Sequence, residues 1–261
     1  QAFFALPPTT PAALILAMKI GFVLYDYYPF SGLQEDCLAT ALAVADRGHD
    51  VHIFTRSWKG DRPETVKTHL LGKSGWSNIS RNEHFFSILK AELPQHDLDG
   101  VVAFSRIPNC DIYFAADPCY VKRVQDKSFW YKLGPRYRHY AGLEKSIFAA
   151  PSPPHTLVLT DREIGAFNQH YGTARERFHL LPPGVARNTN SPADAVNNRH
   201  ELRHELGASE DATIALFVGS GFRIKGLDRA LQAIAANQSA TKDLEFWIVG
   251  NDKPARFKKL A

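Results

Sequence analysis

The sequence predicts an α/β protein built on a doubly wound parallel sheet, followed by the beginning of a second unit of the same kind. Three observations carry that prediction. Residues 18–25 are an apolar run with β-branched and aromatic members, residues 34–47 place Leu38, Leu42 and Ala45 on one helical side, and residues 50–55 are a second apolar run. That is a βαβ unit whose strands are buried on both faces. Short apolar runs then recur, each ending in a polar loop, and the strand–helix–strand order starts afresh at residue 212.

Composition narrows the function classes. The chain has 261 residues, with 31 Lys+Arg against 27 Asp+Glu and a net charge of +4, too mild a balance to argue for nucleic acid. Cys37, Cys110 and Cys119 form no CxxC pair, so neither a disulfide framework nor a zinc site is expected, and a reducing compartment is the simpler reading. Residues 1–17 lack a basic residue, and prolines interrupt their apolar part. They fit neither a signal peptide nor a membrane span of about 20 apolar residues. The only methionine, Met18, directly precedes the first strand, so 1–17 are expected to be a disordered upstream segment.

The loop at 29–32, Pro-Phe-Ser-Gly, ends the first strand, and Gly48 closes the following helix as a C-cap would. Gly32 stands at a strand-to-helix junction where a backbone can approach a bound group, or it merely serves a tight turn. GxGxxG is absent, and no acid after the second strand is placed to read a ribose, which disfavours a nicotinamide enzyme. A weaker strand is expected near 66–71, a Gly-, Ser- and Asn-rich loop over 72–80, and a helix over 82–93 stopped by Pro94. Buried strands are expected over 100–104 and 111–116, with polar loops at 105–109 and 117–118. Loops after strands face the ligand crevice of such sheets, which puts Asp117 where a functional carboxylate would stand. A helix N-cap or a turn aspartate is its plainer reading.

Residues 121–148 interleave Lys122, Arg123, Lys127, Lys132, Arg136 and Arg138 with Phe129, Trp130, Tyr131, Tyr137 and Tyr140. The mixture suits an anionic membrane, where each nearby cation is worth about 1 kcal/mol. It also suits RNA stacked on aromatics, or a solvated helix pair with an aromatic core face. Further strands are expected at 155–160 and 178–181, with a helix over 161–171 capped by Asp161 and ended by Gly172. Residues 186–198 read as a linker between a domain at 18–185 and an incomplete second one at 199–261.

In the second unit, strands at 212–218 and 244–249 flank a helix over 227–236 and a loop over 219–226. The loop offers glycine backbone, Arg223 and Lys225 before a helix start, a convergence that suits a phosphate or diphosphate. It is not a Walker loop, and cations placed only for solubility are the alternative. One βαβ unit cannot cover both faces of a parallel sheet, so the chain is expected to be C-terminally truncated and its second unit loosely ordered.

Several of these segments together resemble glycosyltransferase family four, and within it the glucosyltransferases of lipopolysaccharide core synthesis. They are residues 28–36 (YPFSGLQED), 47–49 (RGH), 111–117 (DIYFAAD), 119–120 (CY), 136–140 (RYRHY), 159–161 (LTD), 181–184 (LPPG), 218–220 (VGS), 225–226 (KG) and 249–254 (VGNDKP). The resemblance implies a GT-B fold: two Rossmann-like domains, the first taking the acceptor and the second the nucleotide sugar. It implies retaining transfer of glucose from UDP-glucose to a heptose of the lipopolysaccharide inner core. The work would be done without metal or cofactor, by a peripheral protein on the cytoplasmic face of the inner membrane.

By the same resemblance Asp117 matches the carboxylate near the reacting sugar and Lys225 the diphosphate-binding lysine. Gly32 and Asp36 match the glycine and the acid of the donor loop, while Tyr120, Gly219, Arg223 and Arg187 fall near other donor contacts. Lys122, Arg123, Lys127, Trp130 and Lys132 lie in the stretch thought to touch anionic lipid. Nucleic acid is not an expected partner. The sequence departs from the family at Ser31-Gly32, where Gly-Gly is common, and at Ile224-Lys225, where Arg-Lys is common. The spacing around Arg187 is shifted, and the family's Glu-x7-Glu motif, which in the family lies well downstream of the second-domain strand, and its uracil pocket are missing from the sequence. Two alternatives stand beside this reading, a family-four enzyme with another sugar donor and an inactive membrane-attaching fragment.

Overall fold

The computed structural model describes residues 16–182, 192–237 and 243–259, and the chain divides into two compact units, Gln1–Gly184 and Val185–Ala261. In chain order the first unit contains β1 (Lys19–Val23), β2 (Asp26–Tyr27), α1 (Gly32–Ala45), β3 (Asp50–Thr55), β4 (Ser57–Trp58), β5 (Lys67–Leu70) and α2 (Asn78–Glu92). There follow β6 (Gly100–Ala103), β7 (Ile112–Ala115), α3 (Tyr120–Arg123), α4 (Phe129–Leu133), α5 (Pro135–Phe148), β8 (His155–Val158), α6 (Asp161–Tyr171) and β9 (Phe178–Leu180).

Seven strands form a parallel sheet in the order β5-β3-β1-β6-β7-β8-β9. Consecutive residues of the central strands enter opposite cores, as alternation across a strand requires. Phe22, Ile53 and Phe114 pack with Cys37 and Ala41 of α1, whereas Val23, Phe54 and Tyr113 pack with Phe85, Ile147, Phe148 and Phe167 of α2, α5 and α6. The sheet is therefore wound on both faces, as its doubly apolar strands predict.

Differences from the expected boundaries have local causes. The first strand stops at Val23, and Asp26–Tyr27 instead pairs with Ser57–Trp58, the Tyr27 and Trp58 rings stacking at 3.8 Å. Helix α2 starts at Asn78, inside the expected loop, because Ser77 and Ser80 form a reciprocal capping box at 3.0 Å each way. The N-cap of α6 is Thr160 rather than Asp161, while Gly172 ends it in the left-handed region as expected. The basic and aromatic stretch is three helices, with Gly134 separating α4 from α5 and Pro135 pre-setting the first turn.

In the second unit, α7 (Pro192–Glu205) begins within the expected linker, whose residues 192–198 are helical with Pro192 at the start and Asp194 in the first turn. The remaining linker residues and Arg187 lie outside the described residues. Arg203 is buried and ties α7 to the next loop by bonding the carbonyls of Ser209 (2.6 Å) and Ala212 (3.0 Å). Then come β10 (Thr213–Val218), α8 (Phe222–Lys225), α9 (Leu227–Asn237) and β11 (Leu244–Val249), with β10 and β11 parallel. A small core of Phe222, Leu227, Leu231 and Phe257 covers one side, and Leu216, Val218, Ile248 and Val249 are exposed.

Phe148 sits where α5, α6 and β9 meet, its ring 4.0 Å from Phe167 and 6.2 Å from Phe178. Phe148→Ala is expected to destabilise the first unit by about 3–5 kcal/mol, the usual cost of emptying a buried aromatic site. Urea denaturation followed by circular dichroism measures it, and a loss below about 1 kcal/mol would contradict this packing.

Candidate active site

A pocket of about 310 Å³ opens at the C-terminal ends of four neighbouring parallel strands. Tyr25 follows β1, Arg56 follows β3, Ser105 and Arg106 follow β6, and Ala116 and Asp117 follow β7; Leu33, Asn82 and Tyr140 complete the walls from α1, α2 and α5. All strands run the same way, so every strand-to-helix loop emerges on this edge.

The walls are bonded to one another. The backbone N–H of Tyr25 donates to Ser105 Oγ and its phenol donates to the carbonyl of Arg106, both at 3.0 Å. Arg56 lies 4.6 Å over the Tyr25 ring and donates to Asp26 (2.5 Å) and to Asn82 Oδ1 (3.2 Å). Asp26 also accepts from Ser57 at 2.7 Å, and Lys73 is 3.5 Å away. Burial by itself would raise the Asp26 carboxyl, but Ser57, Arg56 and Lys73 outweigh it and hold the group below the ordinary carboxylate range.

Arg106 joins the pocket to a buried acid. Its guanidinium donates to Asp117 Oδ2 at 3.2 Å and to the Pro118 carbonyl at 3.0 Å, and lies 3.6 Å from Glu144. Its Nε–H is buried without a hydrogen-bond partner among the described residues. Glu144 is fully buried and accepts from the N–H of Tyr120 (2.7 Å), the N–H of Val121 (3.1 Å) and the Tyr171 hydroxyl (2.8 Å). Asp117 caps no helix: Cys119 is the N-cap of α3, and the Asp117 carboxylate is 65% exposed beside Arg106.

The other anticipated residues divide. Gly32 is the first residue of α1, with no neighbour within 4 Å of where a Cβ would project, and Asp36 is exposed one turn later. Tyr120 is buried and does not line the pocket; its hydroxyl is 3.1 Å from that of Tyr131, and burial pushes it up to about 12. Lys122, Arg123, Lys127 and Trp130 are exposed, whereas Lys132 donates to the carbonyl of Gln125 at 2.6 Å and is no longer a free cation.

In the second unit the 219–226 segment is not an open loop. Gly221 and Gly226, at φ 73° and 81°, bracket the single turn α8, and the N–H of Phe222 donates to Asp252 at 2.7 Å. That amide is therefore occupied by a carboxylate of the chain. Arg223 and Lys225 are exposed, and the Lys225 stem runs alongside Gly219.

The sequence reading did not single out Tyr25, Arg56, Asn82, Arg106 or Glu144. The rule that picked Asp117, a polar residue just after a buried strand, applies equally to Arg56 and to Arg106. No local signal marks Glu144, whose partners lie more than 20 residues away in sequence.

No family model matches the chain. In sequence it is similar to the lipopolysaccharide glucosyltransferase WaaG of Escherichia coli K12, 39% identical over 246 residues that make up 94% of the chain and 66% of that protein. The chain thus spans just under two thirds of that relative. D-inositol 3-phosphate glycosyltransferase 1 of Catenulispora acidiphila matches 39% of the chain, and 23% of its own length, at 39% identity. Among solved structures, WaaG superposes with a TM-score of 0.84 at 37% identity, covering 93% of this chain and 66% of that one. A glycosyltransferase of Rickettsia africae reaches 0.51 at 12% identity over 91% of this chain and 69% of its own, a likeness of fold alone. The resemblance to family-four glycosyltransferases and the GT-B type of fold therefore hold across nearly the whole chain.

Asp26 is held below the ordinary carboxylate range in the folded chain, so it contributes stability that is present above its unfolded value of about 3.9 and is lost as pH falls through the folded value. Acid unfolding below about pH 4 should therefore flatten in Asp26→Asn relative to the parent. Identical pH slopes for the two proteins would remove Asp26 from the acid transition.

Proposed function

We propose, for a chain that by sequence and fold is a relative of the lipopolysaccharide glucosyltransferase, a retaining transfer of glucose from UDP-glucose to a heptose of the lipopolysaccharide inner core. The carrying observation is the strand-end pocket in which Arg106 holds the exposed carboxylate of Asp117 at 3.2 Å. In this reading the first unit takes the acceptor and the second holds the nucleotide sugar.

The chemistry asks for two kinds of charge. Departure of the diphosphate leaves an oxocarbenium-like sugar, which a fixed carboxylate stabilises. Asp117 is the candidate, restrained by Arg106. Negative charge grows on the leaving diphosphate, and cations must meet it where no metal serves. Lys225, exposed just before α9, is the candidate there, with Arg223 beside it. Each cation at ~4 Å from a phosphate charge is worth about 4 kcal/mol at an effective dielectric of 20. Gly32 supports a close backbone approach of the donor, since within its own unit neither packing nor a left-handed conformation requires glycine there.

The membrane part of the proposal rests on α3 and α4. Phe129 and Trp130 are 67% and 78% exposed, in the same stretch as the exposed cations Lys122, Arg123 and Lys127. Rings of that kind enter the headgroup region while cations meet anionic lipid. The association is peripheral, on the cytoplasmic face of the inner membrane. No helix among the described residues is long and apolar enough to cross a membrane.

Transfer of radiolabelled glucose from UDP-glucose to a heptose-bearing acceptor, by the protein that carries this chain, tests the assignment. Asp117→Asn should abolish most transfer and leave thermal unfolding nearly unchanged. Lys225→Ala should lower turnover about 100-fold, the order found on removing one such donor. Full turnover in either variant, or a preference for a different nucleotide sugar, would overturn the corresponding part. Replacing Lys122, Arg123 and Lys127 with Gln should weaken sedimentation with anionic vesicles, as should added salt. Equal association with neutral and anionic vesicles would count against the membrane surface.

A further inference from the structure

Outside the pocket, three imidazoles converge on one face of the sheet. His52 lies on β3, His69 on the edge strand β5, and His96 at the end of the 3₁₀ turn Leu93–His96 that follows α2. One ring nitrogen from each lies within 4.8 Å of the other two, and His69 Nε2 is already 3.0 Å from His52 Nδ1. The rings of His52 and His69 are near-parallel, with centroids 5.0 Å apart, and His96 meets His69 edge-on at 4.4 Å.

Two of the rings also have a nitrogen near a carboxylate. His52 Nε2 is 3.5 Å from Asp50 Oδ2, and His96 Nε2 is 3.0 Å from Glu92 Oε1. A ligating histidine commonly has its second nitrogen on a carboxylate, which fixes the tautomer and turns the free lone pair toward the ion. His52 Nδ1, His69 Nε2 and the remaining nitrogen of His96 are the donors such an arrangement leaves.

From this geometry we infer that His52, His69 and His96 form a binding site for a borderline divalent cation, Zn²⁺ being the best match. Three neutral nitrogens suit Zn²⁺, with Zn–N distances of about 2.0–2.1 Å and a fourth position for water. A tetrahedral site wants its nitrogens about 3.3–3.4 Å apart, so the present triangle closes with side-chain shifts of about an ångström and a half at most. His52 is buried while His69 and His96 are half-buried, which leaves the ion a way in from solvent. None of the three lines the strand-end pocket. The ion's role is to staple the edge strand β5 and the end of α2 to the sheet, and it takes no part in the reaction.

Binding only to the folded chain raises stability by mass action, which gives a readout independent of transfer activity. The chain, stripped with chelator, is titrated with ZnCl2 while its melting temperature is followed, and with CoCl2 while visible d–d absorption is followed. One equivalent should bind, raise the melting temperature and give the bands of a low-symmetry cobalt site. His69→Gln and His96→Gln should each abolish these signals while keeping the parent's circular dichroism. Glu92→Gln should weaken the affinity about 10- to 100-fold. His155→Gln, which breaks the separate His155–His179 pair at 2.9 Å, should change nothing. Absence of binding in the parent, or binding that survives both His69→Gln and His96→Gln, would overturn the site.

Discussion

The carboxylate of Glu144 lies wholly out of solvent, and the arrangement of three separate segments hangs on it. A buried ion is tolerated only when its oxygens are filled, since the desolvation cost is several kcal/mol. Here two backbone N–H groups, the Tyr171 hydroxyl and the Arg106 guanidinium fill them. The first two fix where the chain enters α3, and Tyr171 ties in the end of α6. Arg106 extends the restraint outward, because the fork that faces Glu144 also holds Asp117 and the Pro118 carbonyl. An exposed carboxylate on a loop has no fixed position of its own. Asp117 acquires one from an acid it does not touch.

This dependence explains what was legible in the sequence. The central strands of the seven-stranded sheet were readable because strands buried on both faces are apolar and end in polar loops, whereas the edge strand β5, the partly exposed Lys67–Leu70, gave only a weak signal. Asp117 was readable for the same reason. Glu144 was not, since its partners are Tyr120, Val121 and Tyr171, and nothing in a helix rich in Lys, Arg and Tyr distinguishes the acid that turns inward from one that turns out. The early start of α2 was missed because its cap is a pair of serines, not the Ser/Thr-to-Glu pattern that marks helix starts more openly. The three histidines were missed because they are 17 and 27 residues apart in sequence and meet only through the β3–β5 pairing and the turn after α2.

The second unit shows a different limit. Its glycines read as freedom for a bound phosphate, yet part of that freedom is architectural. A Cβ at Gly250 would collide with the carbonyl oxygen of Gly219, so the loops after β10 and β11 approach too closely for any side chain there. Asp252, carried on the second of those loops, takes the first amide of α8. What remains available for an anion is thinner than the sequence suggested: the exposed ammonium of Lys225, the guanidinium of Arg223 and the start of α9. Any case for diphosphate binding in this unit must rest on those cations more than on open backbone.

The stretch from residue 121 to 148 brings these arguments together, because one composition serves two opposite demands. Basic and aromatic residues could have made a core face, a lipid face or a nucleic-acid face. The fold divides them. Tyr120, Tyr137 and Tyr140 pack among themselves and Ile147 and Phe148 enter the core, whereas Phe129 and Trp130 of the short helix α4 face outward. The cations divide too, Lys132 being held by a carbonyl while Lys122, Arg123 and Lys127 stay exposed. The inward half is anchored by the bonds from Tyr120 and Val121 to Glu144, so the outward half rides on a rigid base. Ordering costs about 1–2 kcal/mol per residue when a segment must fold on binding, and here that cost falls to folding of the unit. An exposed aromatic pair on an already ordered helix can then meet a lipid surface with little further loss of freedom.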